Sequence, residues 1–425
     1  MSVAAAVAPV ERPHWNWAAG RKAGDWIIAI VAFLGAFVIN EPAPYDLLLV
    51  AVVLVWAILG LKFNRFALPM TILMMVYLAG GFLSLTQIDS FGKPIVYMAT
   101  TTFLIASSVF YAAVIVENPG PRLALIRKAY IASAIVVSVI AILAYFNAIP
   151  HADYFKLYDR AKGTFQDPNV FGPFLALPLT FLVRDILTRR FRESFWEIGW
   201  FLIILFALFL SFSRAAWGLG AFASIAIAFI AYINEPRQVV RFRLVAYLVG
   251  GAAAVSVMIS VAISIPQVRD LYLERAHVVQ DYDDSRVGRF ERQKAGFFLM
   301  QEKPFGIGPE QFGPIFGEDE HNMWLKGFTT YGWLGGFAYI ILVAWTLAAA
   351  APLLFKPRPW QPIVQCTYVV FLGHVFVHNV IDNDHWRHLY LMYGLLWGAI
   401  AAEKMFARQR RRMGMTPVEP EPRPA

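Results

Sequence analysis

The sequence predicts an all-α, polytopic membrane protein of about twelve transmembrane helices. Hydrophobic residues make up 58% of the 425 residues and charged residues only 16%, with a mean hydropathy of +0.54, far outside the soluble range. The apolar residues are gathered into runs of spanning length, because a hydrocarbon core of about 30 Å takes about 20 residues of helix. Basic residues recur in the short connections between those runs. The formal charge of +8 therefore belongs to loops and tails facing anionic headgroups, and nucleic-acid binding is excluded as an explanation of it. The one cysteine, Cys366, lies in an apolar run, so neither an intrachain disulfide nor a cysteine zinc site is available.

The expected spans are 26–40, 45–61, 66–88, 94–116, 123–149, 169–187, 195–212, 215–233, 243–266, 331–355, 361–381 and 387–407, the first two somewhat short. Residues 1–25 lack an early charged segment and a cleavage site after an apolar stretch, and read as a retained cytoplasmic tail. Residues 26–407 form the membrane domain and 408–425 a disordered cytoplasmic tail. Every connection expected inside is basic, from Arg21 and Lys22 at the first to Arg410, Arg411 and Arg412 at the last. The outside connections 41–44 and 89–93 carry almost no positive charge, which puts both termini in the cytoplasm. Gly250 and Gly251 are suited to close helix packing.

Three outside places break the charge rule. They are the 150–168 loop with Lys156, Arg160 and Lys162, the SFSR turn with Arg214, and the 267–330 loop before the tenth span. That last loop holds Arg269, Arg275, Arg286, Arg289, Arg292, Lys294, Lys303 and Lys326 and is expected to be partly helical. Lys156, Arg269 and Arg275 read as ordinary charges of long loops, which escape the rule. Arg214 lies between two apolar runs with almost no loop, where an uncompensated guanidinium is costly, so it should face an anion or a polar cavity. Sharp turn signals accompany the charges. Gly163 and the Pro168-Asn169 break punctuate the first loop, and Gly306 and Gly308 permit tight backbone geometry in the third.

In order along the chain stand RAKGTFQDPNVFG from Arg160, LSFSRAAWG around Arg214, GRFERQKAGFFLMQEKPFGIGPEQF from Gly288 and HNMWLKGFTTYGWLG from His321. Over about residues 155–355 this ordered set resembles the motifs of the bacterial O-antigen ligase and polymerase superfamily. The resemblance implies an inner-membrane glycosyltransferase of GT-C-like fold acting at the periplasmic face without a metal or other cofactor. Its donor would be a glycan on undecaprenyl diphosphate. The ligase branch passes that glycan to a lipid A core sugar and the polymerase branch to the next lipid-linked repeat unit. By position, Arg160, Arg214 and Arg289 match the family's arginines and His321 the histidine of its His-Asn pair, with Asn322 beside it. Arg292 stands where family members often carry an aromatic residue, which leaves open whether Arg289, Arg292 or both face the diphosphate.

The residue types suit that chemistry. Guanidinium groups make bidentate, permanently charged contacts to a departing diphosphate, and a histidine titrating near neutral pH is a natural general base for the acceptor hydroxyl. Glu318, Asp319 and Glu320 precede His321 and are placed to orient its ring or, alternatively, to hold a divalent cation with it. His374, His378 and Asp382 recur on one helical face, with Asp384, His385, Arg387 and His388 close behind. They read as a wall of the acceptor cavity, a second metal cluster or a helix-end network. A different class, the twelve-span secondary transporter, would place its working charges near mid-span.

Overall fold

The computed structural model describes residues 18–58, 60, 63–275 and 288–413. The expected tail segments 1–17 and 414–425, and Arg286, lie outside the described residues. A helix stands at each of the twelve expected span positions. They are α1 (Ala18–Leu34), α2 (Pro44–Ile58), α3 (Leu68–Ser84), α4 (Gly92–Glu117), α5 (Pro119–Tyr145), α6 (Pro168–Thr188), α7 (Phe195–Leu210), α8 (Arg214–Asn234) and α9 (Gln238–Ile263), then α14 (Gly332–Ala350), α15 (Gln361–Val377) and α16 (Arg387–Arg412). Among the described residues between α9 and α14 run four shorter helices, α10 (Pro266–Arg275), α11 (Arg289–Glu302), α12 (Phe312–Phe316) and α13 (Met323–Thr329). Among the described residues eight helices are long and apolar enough to cross a membrane, namely α3 to α9 and α14, and α2 and α15 are shorter apolar ones. The chain is a multi-pass, all-α membrane protein. Among the described residues the strands are a hairpin of two-residue pieces, β1 (Lys156–Leu157) and β2 (Arg160–Ala161).

Two expected boundaries move for local reasons. The first helix spans Ala18–Leu34 and not 26–40. Its early start is tied down by Arg122, which donates to Asp25 at 3.2 Å, to Glu117 at 2.5 Å and to the Val114 carbonyl at 2.6 Å, joining α1, α4 and α5. Its early end follows from a backbone exchange in which Val38 N–H donates to the Thr164 carbonyl at 2.9 Å and the Thr164 hydroxyl to the Ala36 carbonyl at 2.6 Å. The second shift is at α15, which stops at Val377 and gives way to turns, so 378–386 is loop and not helix.

Packing brings the charged loops to one end of the bundle. The first residues of α6 are organised by Asp167, whose side chain accepts from Asn169 N–H at 2.6 Å ahead of Pro168 at the first helical position. One turn later Gly172 lets α6 meet the turn into α8. A Cβ there would lie 2.5 Å from Ala216 Cβ and 2.9 Å from Ser211 Oγ. In the third loop Gly306 and Gly308 take φ of +80° and +95°, and Ile307 N–H donates to the Thr329 carbonyl at 2.7 Å, which seats that turn on the end of α13. Gly250 and Gly251 depart from expectation. A side chain at either would meet nothing within 4 Å, and little of α9 is buried.

Candidate active site

A cavity of about 970 Å³ lies where the three charged segments meet. Arg160, Arg214, Arg289 and His321 all line it, although 161 residues separate the first from the last (321 less 160). Each arginine has its own mounting. Arg160 opens β2 directly after a turn in which Tyr158 and Asp159 both have positive φ, the two-residue geometry whose twist suits a hairpin. Its Nε then donates to the Ser211 carbonyl and an Nη to Asn169 Oδ1, both at 2.8 Å, so it bridges the starts of α6 and α8. Arg214 is the first residue of α8, after Phe212 turns the chain at φ 46°. Arg289 begins α11, with Gly288 in extended backbone before it. Of Arg289 and Arg292, it is Arg289 that lines the cavity. Arg292, one turn on, lies outside the cavity lining and pairs with Glu318, because the helix turns it toward the 317–321 loop.

His321 has a left-handed backbone, φ 47°, and is held there from two sides. The Asp382 carboxylate accepts from the backbone N–H of His321 at 3.0 Å and of Asn322 at 2.9 Å, while the Gln293 amide donates to the carbonyls of Glu320 and His321 at 3.1 Å. Asp382 Oδ2 also lies 4.0 Å from Nδ1 of the imidazole. The carboxylate that pairs with the ring is therefore Asp382, brought from 61 residues away, and not one of the expected Glu318, Asp319 and Glu320. Asn322 is the N-cap of α13, its side chain accepting from Leu325 N–H at 3.0 Å. Glu320 is buried, accepts from the Thr329 hydroxyl at 2.6 Å and faces the Lys326 ammonium at 3.9 Å. Burial pushes its carboxyl up to about 7 against the pull of Lys326.

Lys326 is the buried cation of this side of the cavity, 3.8 Å from Asp382 and 5.6 Å above the Tyr97 ring. Burial by itself depresses an ammonium pKa, but Asp382, Asp384 and Glu320 hold this one well above its ordinary value. The Asp382 carboxyl is pushed up by burial, with Lys326 and then His321 pulling it back. Burial also works against the ionised form of Asp384, yet Lys326, His385 and hydrogen bonds from Tyr97 and Tyr331 bring its pKa below the ordinary value. His385 is held below the usual histidine range by burial, and its Nε2 lies 2.9 Å from the Thr101 hydroxyl.

His374 and His378 do not reach the cavity. Because α15 ends at Val377, the expected face carrying His374, His378 and Asp382 is broken, and only Asp382 lines the site. His374 Nδ1 donates to the Val370 carbonyl at 2.8 Å and its Nε2 lies 3.3 Å from His388 Nε2, whereas His378 Nε2 lies 3.2 Å from the Tyr339 hydroxyl. Both are packing elements of the bundle. Of the four consecutive candidates, Glu318 turns to Arg292 and Glu320 to Lys326, while Asp319 and His321 both line the cavity. Among the described residues no three of His, Cys, Asp and Glu gather as metal donors.

Tyr97 and Lys326 also line the cavity, and no sequence motif marks either for the transfer site. No signal in the sequence marks a span tyrosine such as Tyr97. A lysine one turn past an expected His-Asn pair could have been suspected from the cost of its burial alone. The family model for O-antigen ligase matches residues 199–340. Arg214, Arg289 and His321 fall within the match, and Arg160 and Asp382 outside it. No curated relative matches the chain.

Proposed function

From the premise that this multi-pass membrane protein is of the O-antigen ligase superfamily through its domain at residues 199–340, we propose that the cavity transfers a glycan from a lipid diphosphate to an acceptor sugar hydroxyl. The family supports a role in polysaccharide assembly with lipid-linked substrates. The observation that carries the finer reading is the convergence of Arg160, Arg214 and Arg289 with His321 on one cavity. The diphosphate of an undecaprenyl-linked donor binds the guanidinium groups, which leaves the anomeric carbon facing the His321 side. The acceptor oxygen attacks that carbon, the bond to phosphate oxygen breaks with its electron pair going to the diphosphate, and the hydroxyl proton passes to the imidazole. Asp382, on the Nδ1 side, positions the ring so that Nε2 takes the proton. A single displacement inverts the anomeric centre. The arginines gain most as the leaving oxygen becomes charged, which is where preorganised donors lower a barrier.

In this reading the site faces the periplasm from the bacterial inner membrane, and the acceptor is a lipid A core sugar. A polymerase, with a lipid-linked repeat unit as acceptor, shares every step up to the identity of that acceptor. The surface glycolipids of a deletion strain test both. Full-length polymer accumulating on undecaprenyl diphosphate is expected, single repeat units would assign the polymerase, and an unchanged pattern would refute both.

A further inference from the structure

We propose that Arg275 is a further diphosphate-binding residue, a fourth guanidinium delivered to the cavity by α10; the inference rests on the donor reading above. Positive charge in this loop has an ordinary explanation as a long-loop exemption, and the structure separates Arg275 from it. Arg275 lines the same cavity as Arg160, Arg214 and Arg289, whereas Arg269 on the same helix lies outside the lining with its side chain 55% exposed.

The helix that carries Arg275 is keyed into the bundle. After α9 the chain turns at Ser264 and Ile265, Pro266 takes the first helical position of α10, and Val268 is fully buried. One turn further, Tyr272 stacks over Trp217, ring centroids 6.1 Å apart and planes 28° from parallel. Trp217 is itself fixed, its indole N–H donating to the carbonyls of Leu208 and Phe209 at 3.2 Å while its ring stacks on Phe209 at 5.4 Å.

Spacing does the rest. Arg214 and Trp217 are three residues apart on α8, and Tyr272 and Arg275 are three apart on α10, so each arginine shares a helix face with the aromatic ring of its own element. All four side chains line the cavity, and stacking ring on ring sets the two guanidinium groups on a common wall. The Glu274 carboxylate lies 3.3 Å from Arg275 Nε, and the arginine side chain is only 26% exposed. When the sugar leaves, its diphosphate carries one more negative charge than in the bound donor, so a further fixed cation adds stabilisation that grows along the reaction. Arg275 is thus a binding residue, and Tyr272 a positioning residue that acts through it.

The test measures binding of farnesyl diphosphate to the purified full-length protein in detergent, with folding of each variant checked by thermal unfolding. Arg275→Ala is expected to weaken binding by about tenfold or more, the scale of a charge-assisted hydrogen bond, and Arg275→Lys to recover part of it. Tyr272→Phe should bind as wild type, Tyr272→Ala should weaken binding, and the loss should vanish when Arg275 is already alanine. Arg269→Ala should change nothing. Wild-type affinity in both Arg275→Ala and Arg275→Lys, with Arg160→Ala and Arg214→Ala impaired, overturns the role of Arg275. Wild-type affinity in all the arginine variants overturns the donor reading itself.

Discussion

His321 keeps a backbone conformation that a β-substituted residue adopts only when its surroundings insist, and here Asp382 and Gln293 insist from opposite sides. Its chemistry and its strain therefore share one partner. His321→Ala should retain donor binding and lose transfer by about 10²–10⁴-fold, with no dependence on added divalent cations. Transfer by purified protein assayed with and without EDTA measures this, and chelator-sensitive activity restored by Mn²⁺ or Mg²⁺ would count against the general base. The arginines divide on the same scale. Arg214→Lys and Arg289→Lys should lose most transfer, since an ammonium cannot reproduce a bidentate fork, whereas Arg292→Lys, whose partner is Glu318, should keep most of it. Full activity in the first two would make them residues of stability alone. The motifs made these arginines and His321 legible before any coordinates, because fixed charge between apolar runs demands a reason. Asp382 was legible as a polar candidate near the site, but its pairing with His321 was not, since a partner 61 residues distant leaves no local trace.

At the scale of elements, the site depends on how closely α6 approaches the turn into α8. Gly172 has no Cβ to spare, and the contact beneath it keeps Asn169 and the Ser211 carbonyl within reach of Arg160. Gly172→Ala should cost about 1–3 kcal/mol as an overpacked contact and reduce transfer through Arg160. Thermal unfolding and transfer rates in detergent check it, and Ala216→Gly in the same chain should recover part of both. No recovery would locate the damage elsewhere than in this contact. Among the described residues, eight of the twelve expected spans are helices long and apolar enough to cross a membrane, and these were legible because length and hydropathy decide a membrane helix almost alone. The Lys156–Ala161 hairpin was not, since two-residue strands are too short to show an alternating pattern, and its turn uses Tyr158 and Asp159 where glycine is the usual signal.

For the whole molecule, the charges of the site gather at one end of the bundle. This supports a surface-facing catalyst over a transporter with working charges at mid-span. The charge rule then predicts a periplasmic face for that end. Single cysteines at the exposed positions Tyr158 and Lys303 should react with an impermeant maleimide from the periplasm, and cysteines at Phe191 and Val239 only after lysis. Cys366 is buried and should contribute little background. Periplasmic labelling at Phe191 with protection at Tyr158 would place the cavity on the cytoplasmic side and remove the donor reading.

Hydropathy and charge mark this as a membrane chain, locate its apolar helices and single out the charges that are costly there, because both act locally and each residue carries its own cost. Which side chains meet was decided by packing. It put Arg275 with the cavity arginines and Arg292 with Glu318, and it gave Asp382 to His321 while burying His374 and His378 against other partners. Those outcomes depend on where α15 stops and on which way α10 and α11 turn their faces. Such features are set by packing between segments far apart in the chain, which no local pattern records.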